Sequence, residues 1–308
     1  MLKYKADIVS VIYMIITTSL LIIQWNLESF NIFLWLGAMA MAASCFAIAH
    51  NHNHVPMWKS GFMNKLTDYW LTLFYGFPPY VWKPTHNLNH HKYNNREGDY
   101  TITYRLSEKN NFLTMISFPI VSAIYQQTPT SNYLKQMWQV KKPTFFYYIS
   151  QYALLIIYLG TGFYLDWQKA LLYIVIPQQF SVQFVLIINY IQHVHCDEES
   201  EYNHSRNFTG WGSRFLLNNG LHTVHHEQMG LHWSKLPEAH ARIADKIDPS
   251  LNRRSLAWFI FSTYVLGIFF KRFRTKSMRL ERIARENQQS RPESNQVENR
   301  ELEPALQG

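Results

Sequence analysis

Imidazole is the commonest biological metal ligand, and this chain concentrates it in a few places. Of 14 histidines in 308 residues, all but His204, His232 and His240 fall in four clusters. The first is His50-Asn51-His52-Asn53-His54 and the second His86-Asn87-Leu88-Asn89-His90-His91. The third runs from Asn189 through His193 to His195, and the fourth is His222-Thr223-Val224-His225-His226-Glu227. A helix brings residues three and four apart onto one face. On that rule His50 shares a face with His54, His86 with His90 (His91 a step round), Asn189 with His193, and His222 with His225 and His226. One such pair reads most simply as structural polarity, but four together point to metal. A structural zinc takes four ligands and a catalytic zinc three, so about nine converging imidazoles suggest two ions. Imidazole suits iron, zinc, copper and nickel alike, which leaves the metal open.

Elements that bring these clusters together must be long and apolar. Four stretches are of membrane-spanning length, Ile8–Trp25, Phe30–Ala49, Phe145–Leu165 and Ala170–Tyr190, and none contains Asp, Glu, Lys, Arg or His. The first is too long for the apolar region of a cleavable signal peptide. Short links, Trp25–Ser29 and Asp166–Lys169, predict two hairpins, with the first and third histidine clusters continuing the second and fourth spans. Lys and Arg concentrate in the long segments 50–143 and 191–308 and at Lys3 and Lys5, which places those segments and both termini in the cytoplasm. The fold class expected is therefore all-α integral membrane, with a cytoplasmic helical cap holding the histidines. The net charge of +8 fits a surface beside anionic headgroups, and no basic-aromatic pattern suggests nucleic acid.

Three shorter apolar stretches, Leu66–Trp82, Phe112–Tyr125 and Leu256–Phe270, read as interfacial or re-entrant helices. The membrane unit is expected over residues 1–270. Residues 271–308 form a basic, then polar tail that from about Ser277 reads as disordered or a solvated helix. Cys45 and Cys196 form no CxxC, which excludes a disulfide framework or an iron–sulfur motif.

The order HxxxH, HxxxHH, NxxxH, HxxHH after paired spans resembles the membrane fatty acid desaturase and hydroxylase superfamily, over roughly residues 8–270. The Asn189–His193 segment also resembles integral-membrane alkane hydroxylases. The run NNGLHTVHHE, with Leu231-His232-Trp233 beyond it, is similar to bacterial acyl desaturase-like proteins. The resemblance implies a di-iron centre with ligands His50, His54, His86, His90, His91, His193, His222, His225 and His226, and Asn189 reaching one iron through water. It leaves either His193 or His195 as the bound member of the third cluster. His52 and His195 would lie beside ligands, and Asp99, Asp197 and Glu227 are placed to fix imidazole tautomers.

That resemblance implies dioxygen-dependent oxidation of an unactivated C–H bond in a fatty acyl or lipid chain, in a bacterial inner membrane. Desaturation is the leading reading, with hydroxylation or oxidative decarboxylation to a terminal alkene as alternatives. A small change in substrate placement decides between them. Gln179 and Gln183, four apart in the fourth span, could line a chain tunnel, although interhelical hydrogen bonding is the simpler role. Electrons would come from a ferredoxin, rubredoxin or cytochrome b5-like partner with its reductase. A membrane metal transporter or metal-binding protein is the rival of another class. Transporters, however, place ligands at mid-bilayer, and here every histidine lies outside the spans.

Overall fold

The computed structural model describes residues 1–289. Nearly all regular structure in them is helical, and four helices are long and apolar enough to cross a membrane: Lys5–Asn26, Ile32–His54, Lys142–Leu165 and Trp167–His193. These are the four spans expected from the sequence. Two of them continue beyond the apolar run, so that the first histidine cluster is the last turn of the second span and His193 the last residue of the fourth.

The second span starts where the Asn31 side chain accepts the Phe33 and Leu34 N–H groups, satisfying two of the donors a helix start leaves free. Its inner half, Met41–Ala49, is fully enclosed. The small residues Ala42, Ala43, Ser44, Cys45, Ala47 and Ala49 let the first and fourth spans approach its backbone closely. The fourth span widens into a π-helical turn at Leu171–Val175, immediately before Pro177. A proline ring crowds the carbonyl four residues back and donates no N–H, so an expanded turn accommodates it without breaking the span.

Between the second and third spans lie helix Gly61–Tyr75, a π-helix Lys83–His90 and helix Phe112–Val140. The apolar stretch 66–82 is therefore broken. Gly76 ends the first helix at φ 86°, and a Cβ there would stand 2.6 Å from the Cβ of Gln178. The stretch 112–125, by contrast, is only the first half of a longer helix. Asn111 and Thr114 form a reciprocal cap at its start, and Pro119 and Pro129 are absorbed inside it.

Beyond the fourth span, a two-residue parallel ladder joins Asn207–Phe208 to Asn252–Arg253, and helix Leu256–Phe269 follows. The stretch expected to be disordered or a solvated helix begins with a helix, Met278–Gln289. Arg279 in it bonds Glu108 and Glu198, and Arg282 bonds Asp197 and Glu198. Residues 290–308, over which the same expectation runs, lie outside the described residues.

Candidate metal centre

Two groups of four imidazoles form where the second and fourth spans end. His50, His54, His86 and His225 make one, and His90, His193, His222 and His226 the other. In each group the candidate ligand atoms lie within 4.8 Å of one another. His91 stands between them: its Nε2 is 3.1 Å from that of His86, while its ring stacks on His226 with centroids 4.5 Å apart.

The histidine motifs are thus divided rather than assigned whole. Helix His222–Glu227 sends His222 and His226, one turn apart, to the second group and His225 to the first. His86 and His90 do not serve one ion-sized group, as an ordinary helical face would have them do. They lie on the π-helix Lys83–His90, whose wider turn sends His86 to the first group, in contact with His91, and His90 to the second.

Nitrogens approach closely. His50 and His86 are 3.1 Å apart at Nε2, His90 and His193 3.1 Å, His193 and His222 2.9 Å, and His222 and His226 3.1 Å. A chain of neutral rings has too few N–H groups to satisfy all these contacts at once. Nε2 of His54 and of His225 is buried with no hydrogen-bond partner, as is the Asn189 Oδ1 one turn before His193. Burial, and then the neighbouring imidazoles, hold His86, His222, His225 and His226 well below the usual histidine range and His91 at about 2. Neutral, buried, convergent lone pairs without donors are the electronic requirement of a cation site.

Several rings are oriented from behind. His90 Nδ1 donates to Asp99 Oδ2 at 2.7 Å, and Thr101 Oγ1 lies 3.0 Å away. Asp99 is itself fully buried and accepts from the Asn95 and Thr101 N–H groups. Burial alone would raise its pKa, but His90 and these donors hold it at about 2, so it is a carboxylate. His193 Nδ1 donates to the His204 carbonyl at 3.2 Å. Both bonds leave Nε2 as the free lone pair and turn it into the second group.

Asp99 therefore stands behind an imidazole, whereas Asp197 and Glu227 do not reach one. Asp197 accepts from Arg282 at 2.7 Å, and the charges nearest Glu227 are Glu201 and Lys246. His52 turns away, its Nδ1 accepting from Met57 N and its Nε2 3.6 Å from Asp68. His195 has left the helix with φ 61°, and its ring lies between the Glu108 carbonyl and the Thr275 hydroxyl. Of the two candidates in the third cluster, His193 is the one inside a metal-sized group. His232 bonds Asp7 and Ser234, away from both groups.

A cavity of about 90 Å³ opens beneath the imidazoles. His50, His86, His90, His222 and Asn189 line its polar end, and Tyr75, Phe77, Val81, Trp82, Val185 and Leu186 its apolar wall. Gln179 and Gln183 are not part of it, being exposed on the outer surface of the fourth span. The glutamines that line it are Gln126 and Gln192, the latter donating to the Asn219 carbonyl at 2.9 Å. Asn219 and Trp82 were not singled out by spacing. Asn219 Nδ2 lies 3.0 Å from His50 Nδ1, and the Trp82 ring meets His50 and His86 edge-on. Asn219 sits three residues before His222, the one local sign that could have drawn notice.

The sequence profile of the fatty acid desaturase family matches residues 28–258, a span that contains all four histidine clusters. No curated protein and no solved structure matches the chain.

Proposed function

Because the chain belongs to the fatty acid desaturase family, we propose that its two imidazole groups hold two iron ions and that it removes hydrogen from an unactivated methylene of a fatty acyl chain, consuming dioxygen. The observation that carries this reading is the pairing of two buried four-histidine groups with an apolar cavity that ends on them. Hydrolysis would have no need of an apolar channel, whereas an acyl methylene reaches an oxidant only through one.

His50, His54, His86 and His225 would hold one ion and His90, His193, His222 and His226 the other, with His91 between and Asn189 reaching its ion through water. The convergence of four imidazoles at each of two adjacent places supports two bound ions, and an all-imidazole set suits iron among others. Bound iron would supply dioxygen activation and the one-electron oxidising power that a C–H bond requires. The chain's own residues do the rest. Asp99 and the His204 carbonyl fix the tautomers of His90 and His193. Tyr75, Phe77, Val81, Val185 and Leu186 exclude water and hold the chain extended. Trp82 packs between the cavity and the first group, setting how deep a methylene can sit.

Two abstractions from adjacent carbons give an alkene. Hydroxylation and oxidative decarboxylation are the alternatives the same cavity would serve with the chain placed differently. The basic long segments support a cytoplasmic site in a bacterial inner membrane, with electrons from an external ferredoxin, rubredoxin or cytochrome b5-like carrier and its reductase. The test is mass analysis of acyl products from the purified full chain supplied with iron, dioxygen and a reducing system. A product lighter by two hydrogens supports desaturation. One heavier by an oxygen, or a terminal alkene with carbon dioxide, reassigns the reaction. Turnover under strict anaerobiosis overturns the oxidative reading.

A further inference from the structure

On the other side of the fourth span's end from the histidine cavity, and sharing no lining residue with it, lies a much larger open cleft of about 910 Å³. Arg206, Arg253, Arg254, Arg272, Arg274 and Lys276 line it, against two carboxylates, Asp248 and Glu281. Arg206 is the unusual member. It is 2% exposed, and among the described residues no acid pairs with it. Its guanidinium donates to the Ile191 and Val194 carbonyls and lies over the Phe259 ring, while its Nε is buried with no partner. A buried, unpaired cation is costly unless an anion approaches it. Arg253, exposed in the same cleft, has its charge disfavoured by partial desolvation and by Arg206.

We propose that this cleft binds the phosphate of an anionic membrane phospholipid. Charge selects an anion, and the apolar border of the cleft selects a lipid. Helix Leu256–Phe269 lines it with Trp258 and Phe259, and the same helix carries the exposed apolar residues Phe261, Val265, Ile268 and Phe269, the last by 73%. A soluble phosphate makes no use of that surface. An acyl chain does, and a tryptophan beside basic residues suits the headgroup level. The basic edge is held to the same helix, since Arg274 donates to the Gly267 and Ile268 carbonyls at 2.7 and 3.1 Å. Arg206 also grips the turn that carries His193, so a bound headgroup braces the end of the fourth span. The proposal does not depend on the reaction assigned above.

The experiment titrates the metal-loaded full chain, in a neutral detergent, with short-chain phosphatidylglycerol, short-chain phosphatidylcholine and inorganic phosphate, reading the thermal midpoint. A saturable rise with phosphatidylglycerol alone is expected. The triple variant Arg253→Gln, Arg272→Gln, Lys276→Gln should weaken it roughly 100-fold, at the ordinary worth of a basic residue near an anionic surface. Lys135→Gln with Lys141→Gln and Lys235→Gln, exposed lysines elsewhere, should leave it unchanged. An equal rise with inorganic phosphate overturns the lipid assignment. No rise with phosphatidylglycerol, or equal loss in both triple variants, overturns the site.

Discussion

Asp99→Asn tests how the second imidazole group is oriented. The Asp99 carboxylate receives four hydrogen bonds, from His90 Nδ1 and Asn95 N on one oxygen and from Thr101 N and Oγ1 on the other. An asparagine has one oxygen to offer. Its least costly orientation keeps that oxygen on His90 and turns the amide nitrogen toward Thr101, whose hydroxyl can rotate to accept. The Thr101 N–H is then stranded in a fully buried place, at about 1–3 kcal/mol. The bond to His90 survives but loses its charge, and with it roughly half its strength. The affinity of the second group for metal should therefore fall about 10- to 100-fold. The first group, whose rings touch Asn51 and Asn219 instead, should be unaffected. The assay is metal per chain against chelator concentration. In the variant, half the metal should leave at 10- to 100-fold lower chelator and half at the wild-type value. Asp197→Asn, which removes the charge facing Arg282 and touches no imidazole, should follow the wild-type curve. A single unshifted curve for Asp99→Asn, or an equal shift of both halves, would refute the division of the histidines drawn here.

Other consequences are as direct. His86→Ala should abolish turnover and lower metal content, whereas His52→Ala should keep full metal content and cost about 1–2 kcal/mol of stability through its bond to Met57; metal analysis beside thermal unfolding separates the two. Gly76→Ala should destabilise by about 1–3 kcal/mol, because it adds a clash with Gln178 to an unfavourable positive φ, and a lowered melting midpoint in detergent would show it. Acid should release metal. His86, His222, His225 and His226 have pKa values depressed in the folded chain, so the unfolded chain binds protons first, and the advantage of the folded state, complete above about pH 6.5, declines as pH falls below it. A thermal midpoint that stays unchanged between about pH 6.5 and pH 4.5 would contradict that.

The spans were legible in sequence because membrane helices need length and apolarity, both local properties, and the histidine motifs because ligand spacing is local too. How the motifs divide was not. His86 and His90 look like one helical face until the turn between them is π rather than α, and spacing alone carries no sign of that widening. Pro119 suggests a break in the apolar stretch 112–125, yet the Asn111 and Thr114 cap and the packing against the fourth span carry helix Phe112–Val140 through it. Asp99 is legible as a candidate because it follows His90 closely in the chain. Asp197 follows a histidine cluster just as closely, but its partner Arg282 lies 85 residues away, where local spacing does not reach. The helix at Met278–Gln289 also rests on acids far upstream, Glu108 among them, contacts that its polar composition does not reveal.

The interleaving of the histidines also sets a schedule for making the protein. Neither group is complete until His222–His226 has been synthesised, since that short helix supplies both. The first motif emerges more than half the chain earlier, a wait on the order of ten seconds or more at about 5–20 residues per second. Through that interval the second span presents His50 and His54 without His225, which has not yet been made. Metal capture with the full set of imidazoles is therefore a late event in biogenesis, and a chain truncated before residue 222 can finish neither site.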